Sequence, residues 1–115
     1  MISPVMNKVL INNEQDLLGF ISLPEVKLSS FKFIFNDNCQ QIDLELFFDS
    51  GKGLLCENVR QPQINENFNY GLIGTQCFLS VNDISGSGME HCHWSVEDYE
   101  EGSIRFYCEN IWKIL

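Results

Sequence analysis

F-K-F-I-F-N-D-N-C-Q-Q-I-D-L-E-L-F-F, Phe31 to Phe48, is the stretch on which the fold turns. Phe31, Phe33 and Phe35 alternate with Lys32 and Ile34. After the turn-forming cluster Asn36-Asp37-Asn38, Ile42, Leu44, Leu46 and Phe48 alternate with Asp43, Glu45, Phe47 and Asp49. A side-chain period of two belongs to a β-strand. Two such runs around a polar turn form a hairpin, each strand with one apolar and one mostly wet face. Lys32 is expected near Asp43 or Glu45 across the strands, an exposed pair worth only ~0.2–1 kcal/mol.

The last third repeats this texture. Cys77, Leu79 and Val81 share one strand face, and D-I-S-G-S-G from Asp83 to Gly88 is a turn. Glu90, Cys92, Trp94 and Val96 then alternate with Met89, His91, His93 and Ser95. Beyond Glu97-Asp98-Tyr99-Glu100-Glu101-Gly102, Ile104, Phe106 and Cys108 alternate with Arg105, Tyr107 and Glu109. The alternation breaks at Ile111-Trp112-Lys113-Ile114, which places a bulge or bend near Glu109 and Asn110.

Between these regions Gly51 and Gly53 mark a turn, Leu54 to Val59 forms a short strand, and residues 60–74 form a long loop with one short strand inside it. Toward the start, Lys8 to Ile11 is a first strand. Asn12 and Asn13 offer an N-cap to a helix over 13–21, with Glu14 and Asp16 in its first turn; Gly19 and Pro24 limit its length. The expected fold is mainly β: an antiparallel β-sandwich or strongly curled sheet of about eight strands with one short N-terminal α-helix. Residues 1–115 form a single domain.

Composition narrows the functional classes. Of 115 residues, 44% are hydrophobic and nine are Phe, enough for one core. Sixteen acids against seven bases give a formal net charge of -9, which disfavours nucleic acid and anionic membrane surfaces and suits a basic partner. Met1 to Leu10 lacks the long apolar run of a signal peptide, and no stretch reaches the ~20 apolar residues of a membrane span. A cytoplasmic protein, monomeric when free, is expected. The five cysteines, Cys39, Cys56, Cys77, Cys92 and Cys108, are odd in number and lack C-x-x-C spacing. They indicate neither a disulfide scaffold nor a zinc finger. Cys77, Cys92 and Cys108 sit in apolar strand runs and read as core packing.

Two clusters compete for function. On a strand, His91 and His93 share one face and Cys92 the other. The pair supplies two of the three or four ligands a zinc site needs, so a small enzyme or metal module is the minor reading. No G-x-S-x-G, phosphate-binding glycine loop or H-E-x-x-H occurs, and neither catalysis nor a cofactor is expected. The stronger cluster is Glu97, Asp98, Tyr99, Glu100 and Glu101, four acids around one tyrosine. Residues 83–101 hold six acids and no Lys or Arg. Aromatics carry much interface energy while flanking charges steer association. Asp43, Glu45 and Phe47 form a second, weaker patch of the same kind. A structural subunit whose acids only solvate it is a third reading.

The stretch W-S-V-E-D-Y-E-E-G-S-I-R-F-Y-C-E-N-I-W-K-I, Trp94 to Ile114, resembles the closing hairpin of small immunity proteins from bacterial toxin systems. In size, acidity and lack of catalytic motifs the whole chain resembles CdiI-type immunity proteins of contact-dependent growth inhibition. That resemblance implies a protein that binds and neutralises the basic C-terminal toxin domain of a CdiA-type effector, a nuclease such as an RNase, in the cytosol. It assigns no individual residue; the partner-binding residues above rest on the acid–aromatic argument.

Overall fold

The computed structural model describes residues 7–23, 25–36, 40–64, 76–99 and 104–115. Nine strands and one α-helix occur among them: β1 (Lys8–Leu10), α1 (Glu14–Leu18), β2 (Glu25–Phe35), β3 (Ile42–Phe48), β4 (Gly53–Glu57), β5 (Arg60–Ile64), β6 (Gln76–Asp83), β7 (Trp94–Asp98), β8 (Ile104–Cys108) and β9 (Asn110–Ile114). All pairings are antiparallel, in one sheet of order β1-β9-β4-β3-β2-β6-β7-β8-β5.

The sheet curls because three ribbons bend. β2 pairs β3 from Leu28 to Phe35 and β6 only from Glu25 to Lys27, with a register shift between Leu28 and Ser30. That bulge switches the strand's parity. Val26 and Leu28 point inward before it; Phe31 and Phe33 pack against the core after it. Strands β4 and β5 form a second bent ribbon, hinged at Asn58-Val59; β8 and β9 form a third, hinged at Glu109. Since β4 pairs β9 and β5 pairs β8, the two hinged ribbons run side by side through the same corner. Counted as single ribbons, they close a circuit of pairing with β3, β2, β6 and β7. The expected bend near Glu109 and Asn110 is thus present. The arrangement is a strongly curled single sheet rather than two separate sheets.

The corner is held by side chains. Asn58 adopts φ 58°, a left-handed conformation that Asn tolerates better than most residues. Its backbone N–H donates to Asp43 Oδ1 at 2.9 Å, and its Nδ2 donates to Glu109 Oε1 at 3.2 Å. The Glu109 N–H donates to the Glu57 carbonyl at 2.9 Å.

One core fills the curl. Leu44, Leu46, Leu54, Cys56 and Ile111 from one half meet Leu79, Trp94, Val96, Ile104, Phe106 and Cys108 from the other. Cys56, Cys92 and Cys108 are buried thiols, and a hydrogen bond with the Cys56 thiol, together with burial, pushes the Cys108 thiol well up. Cys39 and the side chain of Cys77 lie outside the described residues.

Two local expectations are corrected, and the short strand expected within 60–74 is found. The helix is shorter than 13–21: Asn13 caps it by accepting from the Asp16 N–H at 2.7 Å, and Gly19 ends it. Leu17 is buried in the core, and Asp16 bonds Lys113 on β9, which ties the helix to the sheet. Strand β7 starts at Trp94, not at Met89 or Glu90, because His91 takes a left-handed turn at φ 59°. Finally, Arg60 to Ile64 is an edge strand at the start of the expected long loop; residues 65–74 of that loop lie outside the described residues.

Candidate functional site

The turn favoured by sequence divides once folded. Glu97 points outward, half-buried, with its carboxylate 4.0 Å from Arg105. Alternation along β7 turns Asp98 inward beside Trp94 and Val96, which are also buried. Asp98 is only 2% exposed, stands opposite Leu79, and accepts from the Phe78 N–H at 3.4 Å. It belongs to the interior rather than to an exposed acidic surface. Tyr99 is 54% exposed, with its ring 6.3 Å from that of Phe78. Glu100 and Glu101 lie outside the described residues.

The second patch gains neighbours that the sequence did not connect to it. Asp43, Glu45 and Phe47 point to the outer face of β3, away from Leu44, Leu46 and Phe48 in the core. The register then draws two rows across five strands. One runs Lys32, Glu45, Leu55, Trp112, Leu10; the other runs Ser30, Phe47, Gly53, Ile114, Lys8. Lys32 does stand opposite Glu45, as expected. Leu55, though only 8% exposed, is not part of the core cluster, which confirms its place on the outer face. Phe47, Trp112, Ile114 and Leu10 are all partly exposed there.

Local contacts shape this face. A Cβ on Gly53 would sit 2.6 Å from the Phe47 ring, so the absent side chain lets the ring lie across the strand. Trp112 directs Nε1 to Glu57 Oε1 at 3.5 Å, and Asn110 donates to the same oxygen at 2.9 Å. The Lys8 ammonium lies 4.4 Å from the Trp112 ring centroid, a cation–π contact. The face therefore combines two aromatic rings, three aliphatic side chains and the carboxylates of Asp43, Glu45 and Glu57.

The outer face of the other half differs. Its rows run Ser80, Glu97, Arg105, Gln63 and Asn82, Ser95, Tyr107, Arg60. That surface is mostly polar and carries two arginines and Tyr107, with Phe78 and Tyr99 at the far end of β6 and β7. One fold thus shows an apolar, acidic outer face and a hydrophilic one. A contiguous apolar patch is the more informative sign of binding.

The two histidines do not share a strand face. His91 lies in the turn before β7, with Nδ1 3.1 Å from Glu109 Oε2 and Nε2 3.3 Å from Glu90 Oε1. His93 is exposed, and its backbone N–H donates to the Cys108 carbonyl at 3.0 Å. No group of three or more His, Cys, Asp or Glu able to hold a metal ion occurs among the described residues. No helix among them is long and apolar enough to cross a membrane.

His91 and Asn58, in that order, hold the Glu109 carboxyl below the usual glutamate value of 4.5. The unfolded chain therefore protonates Glu109 more readily than the folded one. The stabilisation is complete above pH 4.5 and is lost as pH falls through the lower folded value. Thermal unfolding of wild type and Glu109→Gln should show a gap in midpoint at pH 6 that narrows steadily toward pH 3. A gap independent of pH would show that the Glu109 charge does not brace the corner.

Comparison with family models, with curated proteins and with solved structures yields no match.

Proposed function

We propose that this protein is a binding module for a basic protein, acting in the manner of the immunity proteins its C-terminal hairpin resembles, and that it engages its partner through the outer face of β1, β9, β4 and β3. The observation that carries the reading is the contrast between the two outer faces. This one sets Phe47 and Trp112 among three carboxylates, Asp43, Glu45 and Glu57, whereas the described part of the other carries Glu97 beside two arginines. Anchors of that kind supply affinity, while acids steer a cationic surface and pair with its Lys and Arg. A chain of net charge -9 adds long-range attraction. Neutralisation would follow from occlusion of the partner's phosphate-binding surface, if that partner is a nuclease toxin.

The test uses the C-terminal domain encoded by the neighbouring upstream reading frame as the partner. Leu10→Lys and Ser80→Lys alter net charge equally but lie on opposite outer faces. Leu10→Lys should weaken association at least tenfold at 150 mM salt, and Ser80→Lys less than threefold. Equal effects would remove the face assignment, and no association with wild type would remove the toxin-inhibitor reading.

A further inference from the structure

Glu45 is the least expected residue of the outer face. It is 9% exposed and stands between Lys32 and Leu55 across the strands and between Asp43 and Phe47 along β3. Its carboxylate makes no hydrogen bond or ion pair with any described residue, and Lys32, directly opposite, forms no salt bridge with it. Among the described residues no fully enclosed polar side-chain atom lacks a partner, so the Glu45 oxygens open onto the outer surface. A nearly buried carboxylate without a partner is costly to the free protein, and such a group calls for a physical reason.

We propose that Glu45 is a receptor carboxylate for a guanidinium group of the basic partner; this rests on the binding reading above and names the group that the face takes. A carboxylate accepts a guanidinium through two parallel hydrogen bonds. Phe47, two residues along the same face and about 6.6 Å away at strand rise, offers a ring against which the planar cation can lie. Leu55 forms an apolar floor beside them. Because the free protein has already largely removed water from Glu45, little further desolvation opposes pairing, and the receptor is preorganised. Asp43 does not serve equally, since its Oδ1 is taken by the Asn58 N–H and Gln41 Nε2.

The test is a titration with fluorescein-labelled octa-arginine at 50 mM salt, together with thermal unfolding, on wild type, Glu45→Gln, Glu90→Gln and Lys32→Ala. Glu90, with its side chain 87% exposed, provides the same loss of charge away from the face. Glu45→Gln should bind the peptide at least tenfold more weakly and melt roughly 3–6 °C higher, since it removes an unpaired charge. Glu90→Gln should stay within twofold. Lys32→Ala should melt within about 1 °C of wild type and bind no more weakly. A merely structural carboxylate would give the opposite sign in stability. Equal binding by Glu45→Gln and Glu90→Gln, absence of peptide binding to wild type, or a lower melting point for Glu45→Gln overturns the receptor. A surviving difference between Leu10→Lys and Ser80→Lys would leave the binding face standing.

Discussion

Replacing Asp98 by lysine should abolish cooperative folding, although the same change at neighbouring Glu97 should be nearly silent. Asp98 sits 2% exposed on the inward face of β7 and accepts from the Phe78 N–H. A lysine there leaves that donor unsatisfied, at about 1–3 kcal/mol. It also places an ammonium in the core, at several kcal/mol per ion. The combined cost is comparable to the ~5–15 kcal/mol that holds a domain of this size together. Glu97 makes only a long, half-exposed pair with Arg105, so its reversal should cost about 1 kcal/mol or less. Far-ultraviolet circular dichroism during heating reads both variants. A wild-type transition in Asp98→Lys would mean that the carboxylate reaches water. Charge reversal across the whole 97–101 turn is consequently a poor probe of binding, because it conflates lost contacts with lost structure.

Trp112→Ala should carry the largest binding loss of any single truncation on the outer face. Buried or half-buried aromatics near the centre of an interface are its usual hot spots, at about 2 kcal/mol or more, roughly thirtyfold in affinity. Trp112 meets the conditions: a partly exposed ring between Leu55 and Leu10 in its row, with a carboxylate at its indole nitrogen and a cation already resting on it. Lys8 shows that the ring accepts a cation in this setting. Because Trp112 lies outside the core cluster, the variant should remain folded. Tyr107→Ala, a half-buried aromatic on the opposite outer face, is the matched control and should bind within threefold of wild type. Calorimetry against the neighbouring-frame domain measures both. A larger loss for Tyr107→Ala than for Trp112→Ala would move the interface to the hydrophilic half.

Local chemistry made much of the fold legible. The alternation of Phe31 to Phe48 specified a hairpin, and the structure pairs Phe31 with Leu46, Phe33 with Leu44 and Phe35 with Ile42. The broken alternation after Cys108 specified the bend at Glu109. Asn13 set the start of the helix, since an N-cap acts through a side chain a few residues away, but the helix ends at Gly19 rather than running on to residue 21. The strand expected through His91 was misplaced because alternation alone does not reveal a single left-handed residue. Without that residue the two histidines would have shared a face.

The candidate site was legible only in part. Asp43, Glu45 and Phe47 were identified from their own strand, where period two puts them together. Leu55 and Trp112 were not, because Leu55 is ten residues beyond Glu45 and Trp112 is sixty-seven, and only pairing register sets them side by side. The odd positions Ile111 and Lys113 obscured the signal further, since β9 follows a hinge that resets its parity.

Sequence by itself determined the strand character, the acidity and the inward or outward parity within each run, because these depend on neighbours along the chain. The tertiary structure decided which runs lie side by side, and with them which outer face is apolar and acidic. It also decided that Asp98 is enclosed while Glu45 opens outward without a partner, since burial is set by what a curled sheet brings over each residue from far along the chain.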